Sequence, residues 1–200
     1  MNFPKTPGQC EYLRVIQSPK PIIITTGPAG SGKTMFACQI AAEQLREKQV
    51  RKLILTRPIV AADEDMGYLP GEMERKMEPW TRPMMDVFEN YLTRNQLEQH
   101  VRIEPLGFMR GRTFNDAFII ADEMQNSTPN QMKMLLTRLG DNSKMIVTGD
   151  LKQSDLGPKN GLADLVKRIK SLELDYIEHV IMNEDDILRH PAVAEILKLY

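Results

Sequence analysis

The run Gly27-Pro28-Ala29-Gly30-Ser31-Gly32-Lys33-Thr34 fills every fixed position of the G-x-x-x-x-G-K-[ST] loop. Glycines at that spacing let the backbone curl until successive N–H groups point at phosphate oxygens. A helix starting at the loop's end adds the partial positive charge of its N-terminus. In such a cradle Lys33 bridges the β- and γ-phosphates, and the Thr34 hydroxyl is placed on Mg²⁺. The context agrees, with the β-branched run PIIITT before the loop and helical spacing after it. The plainer alternative, a glycine-rich turn with an exposed lysine, needs neither flanking element.

A second group closes the apolar run Phe118-Ile119-Ile120-Ala121, which ends in Asp122-Glu123. Neighbouring strand residues face opposite ways, yet at a strand's end the second carboxylate can turn toward the same ligand. Asp122 then holds magnesium through water, and Glu123 polarises the attacking water. A single carboxylate would suit a switch or a small-molecule kinase; the pair points to hydrolysis. An acidic N-cap for the next helix is the alternative. The third group, Thr148-Gly149-Asp150-Leu151-Lys152-Gln153, also follows an apolar strand. There Gln153 is a candidate γ-phosphate sensor that helps orient water, as a glutamine does in small GTPases. Read alone, the segment is equally a polar turn.

Such groups need a frame that brings strand ends together. Apolar spacing predicts helices over 8–17, 33–48, 84–96, 129–139, 162–169 and 192–200. Strands are expected over 21–26, 52–56, 101–105, 118–121, 145–148 and 176–182. Within 84–96, Met85, Phe88 and Leu92 share one face, while the Gly- and Pro-containing stretch 58–82 predicts turns around short helical pieces. Alternating strands and helices imply an α/β fold, a mostly parallel sheet with helices on both faces. A single domain over 1–200 is expected, with ligands at the carboxyl ends of the strands.

Composition narrows the class. At 200 residues, 42% apolar and 26% charged, the chain suits a globular domain. No apolar run approaches the ~20 residues that span a bilayer, and the opening MNFPKTPGQC lacks a secretion pattern. A cytoplasmic protein is expected. A net charge of −1 excludes a uniformly basic surface, so any nucleic-acid site must be a local basic patch. Cys10, Cys38 and the three histidines show no ligand spacing, so neither zinc nor a disulfide is expected. Both cysteines are expected to pack as small apolar groups.

Together the three groups resemble superfamily 1 helicases, and nearly the whole chain resembles the PhoH family of P-loop ATPases. The resemblance rests on GPAGSGKT, LTRPIV at 55–60, GYLPGEMERKMEPWTRP at 67–83, MRGRTFNDAFIIADEMQN at 109–126 and QMKMLLTRLGDNSKMIVTGDLKQSDL at 131–156. It implies a RecA-like core that binds ATP with Mg²⁺ and hydrolyses it. It also implies helicase-like work on RNA or single-stranded DNA. Ser31 stands where the family usually has Thr, and Ala121 and Met124 where it often has Leu and Ala; no reactive group is lost. The resemblance further assigns Gln9: PGQCEY at 7–12 is similar to a helicase segment whose glutamine forks onto the adenine edge. A side-chain amide donates and accepts at once, which suits that edge. A surface glutamine opening a helix is the alternative.

A helicase motor clamps ATP between two RecA-like domains, the second supplying an arginine finger, and this sequence has room for one. A finger supplied in trans raises kcat by ~10³–10⁵, which motivates a homo-oligomer, a hexameric ring being one form. Candidate fingers are Arg110, Arg112, Arg138 and Arg189, the last within DILRH at 186–190, which resembles a family motif. Arg57 follows the second strand, where helicase-type proteins touch the sugar-phosphate backbone. Arg110 and Arg112 flank a glycine and suit a basic pore. Solvated loop charges are the alternative for all three. An ATP-dependent nucleic-acid motor is therefore the leading expectation, and a slow nucleotide-dependent switch or scaffold the second.

Overall fold

Runs of β-branched and apolar residues become strands here because both faces of the sheet are covered. The computed structural model describes residues 3–58 and 81–188. The chain opens with α1 (Pro7–Ile16), β1 (Ile22–Thr26), α2 (Lys33–Arg46) and β2 (Lys52–Thr56). A helix over 81–89, α3 for its described part, precedes α4 (Arg94–His100) and β3 (Val101–Ile103). Then come β4 (Ala117–Ala121), α5 (Pro129–Leu136), β5 (Lys144–Gly149), α6 (Gly161–Ile169) and β6 (Ile177–Ile181). The expected α/β sheet is present, and every pairing in it among the described residues is parallel, in the order β3-β2-β4-β5-β1-β6. All five residues of β4 are buried, as a central parallel strand requires.

Alternate residues of the strands feed two cores. Ile23, Leu55, Phe118, Ile120 and Ile146 pack with Tyr12 and Ile16 of α1, Phe36 and Ala41 of α2, and Met84 and Phe88 of α3. Ile24, Ile54, Ile119 and Val147 face Met132 and Leu135 of α5, Leu162 and Val166 of α6, and Leu106, Met109 and Phe114. The helix after β1 thus covers one face and the helix after β5 the other, while β1 and β5 are hydrogen-bonded neighbours. That divergence opens a crevice at their carboxyl ends, where ligands of such sheets bind.

Most boundaries fall within two or three residues of expectation, but residues 84–96 are not one helix. Tyr91 and Leu92 both donate backbone N–H groups to Phe88 O, closing α3, and Thr93 starts α4 through a reciprocal capping box with Gln96. The apolar spacing bridges the break because Leu92 is buried from the turn itself. The helix expected over 129–139 stops at Leu136, where the Thr137 hydroxyl bonds the carbonyls of Lys133 and Met134. Cys10 is exposed rather than packed; Cys38 is buried. The turns expected over 58–82 and the helix over 192–200 lie largely or wholly outside the described residues. Among the described residues no helix is long and apolar enough to cross a membrane.

Candidate nucleotide-binding site

The loop after β1 is shaped by its glycines. Gly32, at φ 93°, occupies the left-handed region as N-cap of α2, so the helix begins at Lys33 with its N-terminus facing the loop. Ser31 is buried, and its hydroxyl donates to Pro28 O at 2.8 Å, closing the turn. Lys33 is only 8% exposed, and its ammonium donates to the carbonyls of Gly27 and Pro28 at 2.8 Å each. Burial pulls the Lys33 pKa below its ordinary value, against the opposing fields of Asp150, Asp122 and Glu123. A cation in that position is stabilised by any anion entering the loop.

Two strands away, β4 delivers the carboxylates to the same rim, because β5 alone separates it from β1. The Asp122 backbone N–H is anchored on Thr56 O at 3.0 Å. Its carboxylate accepts from the Thr34 hydroxyl at 2.8 Å and from the Thr148 hydroxyl. Glu123 adopts φ 54°, ψ 36°. This left-handed backbone is costly for a residue with a side chain, and it breaks the strand's alternation so that Glu123 lines the same cleft as Asp122. That cleft, of about 280 Å³, brings together Lys33, Thr34, Asp122, Glu123, Asp150 and Gln153. Ala29, Gly30 and Gly32 form part of its wall.

Oxygen donors only, a hydroxyl and a carboxylate 2.8 Å apart, meet where the magnesium of a nucleotide complex is expected. No cage of three or more His, Cys, Asp or Glu exists among the described residues. Mg²⁺ bound chiefly by phosphates and water needs none, so the donor set fits that ion.

Gln125 was not singled out from the sequence, yet it connects two of the three groups. It is 1% exposed, and its amide donates to the Glu123 carboxylate and to Gln153 O while accepting from Asp150 N at 3.1 Å. A Cβ on Gly149 would stand 2.5 Å from Gln125 Oε1, so glycine is what allows this approach. The available signal was its position two residues beyond Glu123, in the block DEMQN. Tyr12, buried in α1, likewise donates to Lys33 O at 3.0 Å and ties α1 to the first turn of α2.

Gln9 lies beside the loop, 2% exposed. Its amide donates to Ser31 O and Asp186 O at 3.2 Å each and accepts from Lys5 N at 2.9 Å. None of the candidate arginines among the described residues lines the cleft. Arg57 is half-buried at the end of β2 and does not line it. Arg110 is exposed; Arg112 pairs with Glu104 and stacks 4.8 Å from the centre of the Phe114 ring. Arg138 donates to Arg112 O at 2.9 Å. Arg189 lies outside the described residues. Among the described residues, therefore, Lys33 is the one cation lining the cleft.

A sequence profile of PhoH-like proteins matches residues 3–200. The chain is 43% identical over 203 residues to a PhoH-like protein of Bacillus subtilis (strain 168), covering 98% of this chain and 63% of that one. It is 42% identical over 203 residues to Protein PhoH of Escherichia coli (strain K12), covering 96% of this chain and 56% of that one. It thus spans about three-fifths of the length of these relatives. Among solved structures, the Pif1 helicase from Candida albicans aligns with 100% of this chain and 43% of its own, at 15% identity and a TM-score of 0.49. A likeness that weak carries nothing about activity.

Proposed function

This chain belongs to the PhoH-like family, and from that premise we propose that it is a cytoplasmic, Mg²⁺-dependent ATPase coupling turnover to the binding or remodelling of RNA or single-stranded DNA. The observation that supports it most is the meeting of Lys33, Thr34, Asp122 and Glu123 in one cleft. ATP lays its phosphates along the N–H groups of 29–34. Lys33 exchanges the Gly27 and Pro28 carbonyls for β- and γ-phosphate oxygens, which restore the charge that burial disfavours. Thr34 and Asp122 are the residues that would hold magnesium, which would neutralise charge on those oxygens.

Glu123 then acts as general base. A water oxygen forms a bond to the γ-phosphorus, its proton passes to the Glu123 carboxylate, and the bond to the bridging oxygen breaks with its electron pair leaving on ADP. Gln153 orients the water. Gln125 holds the Glu123 carboxylate and the 149–153 loop in register, so γ-phosphate contact and base position change together.

With Lys33 as the one cation in the described lining, a second positive charge in the transition state comes from a neighbouring copy. Arg189, Arg110, Arg112 and Arg138 are the candidates, in a homo-oligomer that includes the hexameric ring. A second reading, a slow switch without strand movement, is favoured by the lacing of two strand-end loops. Ser154 bonds Gln125 O, Asp155 N bonds Asn126 Oδ1, and Gly161 N bonds Ser127 O, carrying nucleotide state to an exposed surface.

The ATPase rate with and without single-stranded RNA or DNA separates the two, with light scattering on the same samples. Stimulation in an assembled species supports the motor; an unstimulated, slow rate leaves the switch. No hydrolysis under any condition would overturn both.

A further inference from the structure

Positive charge gathers at a second place, on the flank where β3 is the edge strand. Arg51 and Lys52 at the start of β2, His100 and Arg102 at β3, and Arg112 on the return toward β4 line one groove of about 380 Å³. The groove opens at the end of the strands opposite the phosphate loop, since Lys52 begins β2 and His100 immediately precedes β3. Glu104, the one acidic residue lining it among the described residues, is paired with Arg112. The remaining charges have little to neutralise them. Arg102 donates to the carbonyls of Glu98, Val101 and Gln99 at 2.8–3.0 Å, which orients its guanidinium without cancelling its charge. Arg51 reaches a carboxylate only at 3.9 Å, that of Asp116, with its side chain 82% exposed. Lys52 has no carboxylate partner among the described residues.

Like charges crowded into one groove repel one another, and a polyanion that sheds its condensed counterions relieves that repulsion. Arg102 stands opposite Ile54 in the sheet, two residues beyond Lys52, so the cations follow one another at roughly 7 Å along the strand direction. Repeating anions on an extended strand are the ligand that such a series fits. The chain's overall charge of −1 offers no general attraction, so a local series is what binding requires.

We propose that this groove is a track for the phosphate backbone of single-stranded nucleic acid. The inference rests on the nucleic-acid reading above and deepens it: Arg112 belongs to a groove along the β3 flank, remote from the cleft, and Arg51, Lys52 and Arg102 extend that groove.

The test compares the wild-type protein with Arg51→Ala/Lys52→Ala, with Arg57→Ala, and with Lys167→Ala/Lys170→Ala, which removes equal charge from the C-terminal end of α6. Affinity for labelled oligo(U) and oligo(dT) is measured across a salt series, and ATPase rate without nucleic acid reports an intact fold. The groove variant should lose about tenfold in affinity, and its log–log salt slope should become shallower by about 1.4, from roughly 0.7 per lost contact. The α6 variant should stay within about twofold of wild type, and basal turnover should be unchanged in both. Wild-type affinity and slope in the groove variant, with weakening in Arg57→Ala, would overturn the track while leaving nucleic-acid binding intact. Equal losses in the groove and α6 variants would overturn it in favour of bulk charge. Failure of the wild-type protein to bind either oligonucleotide would remove the track and the nucleic-acid reading together.

Discussion

Replacing Gln9 by leucine separates two roles that one residue has been given. Resemblance makes Gln9 a reader of adenine, whereas its buried amide joins α1 to the phosphate loop and to the 183–186 turn. Leucine fills similar volume but can neither donate nor accept. The change removes two donations, to Ser31 O and Asp186 O at 3.2 Å, and one acceptance, from Lys5 N at 2.9 Å. Each buried partner left unsatisfied costs about 1–3 kcal/mol. Lys5 is exposed, so water takes over its N–H; the two long bonds to buried carbonyls cost about 1 kcal/mol each, or about 2 kcal/mol in total. That is a large share of the ~5–15 kcal/mol that holds a domain together. With a urea m-value of about 2 kcal/mol/M, the midpoint should fall by about 1 M. Urea titration without any nucleotide is the assay, because a residue that only reads adenine contributes nothing there. A midpoint within about 0.2 M of wild type, with loss of discrimination between ATP and GTP, would refute the strut and restore the adenine role.

Glu123→Gln should retain ATP affinity within a few-fold while kcat falls by ~10²–10⁴, the usual contribution of a general base; surviving turnover would place the base elsewhere. A pH effect is expected at Lys144, whose ammonium donates to Ile16 O at 2.6 Å and to Ser18 O, and whose pKa burial lowers to about 8. The unfolded chain keeps its ordinary lysine value near ~10.4, so between the two it binds more protons than the folded chain, and stability rises with pH across that window. The stability difference between wild type and Lys144→Met should therefore grow in favour of wild type from about pH 8 upward. A difference that stays flat to pH 10 would show that the ammonium is not desolvated as described.

Much of the site was legible because its requirements are local. The loop at 27–34 states its own backbone conformation through Gly32 and its own charge through Lys33, and the apolar runs before Gly27 and Asp122 suit the buried strands they form. The break between α3 and α4 was also encoded locally, in the Thr93–Gln96 capping box, but the buried Leu92 carried the helical spacing across it.

Three things lay beyond any spacing. The insertion of β5 between β1 and β4 brings Thr34 within hydrogen-bonding distance of Asp122, 88 residues away. Gln125 gains its role only when the loops after β4 and β5 lie side by side, and Gln9 gains Asp186 O as a partner only when a turn 177 residues downstream reaches α1. Backbone geometry and alternating burial are set by neighbouring residues, so sequence determined the elements and the chemistry they bear. Buried polar groups take whichever partners the packed layers present, so tertiary structure alone decided which of those residues meet.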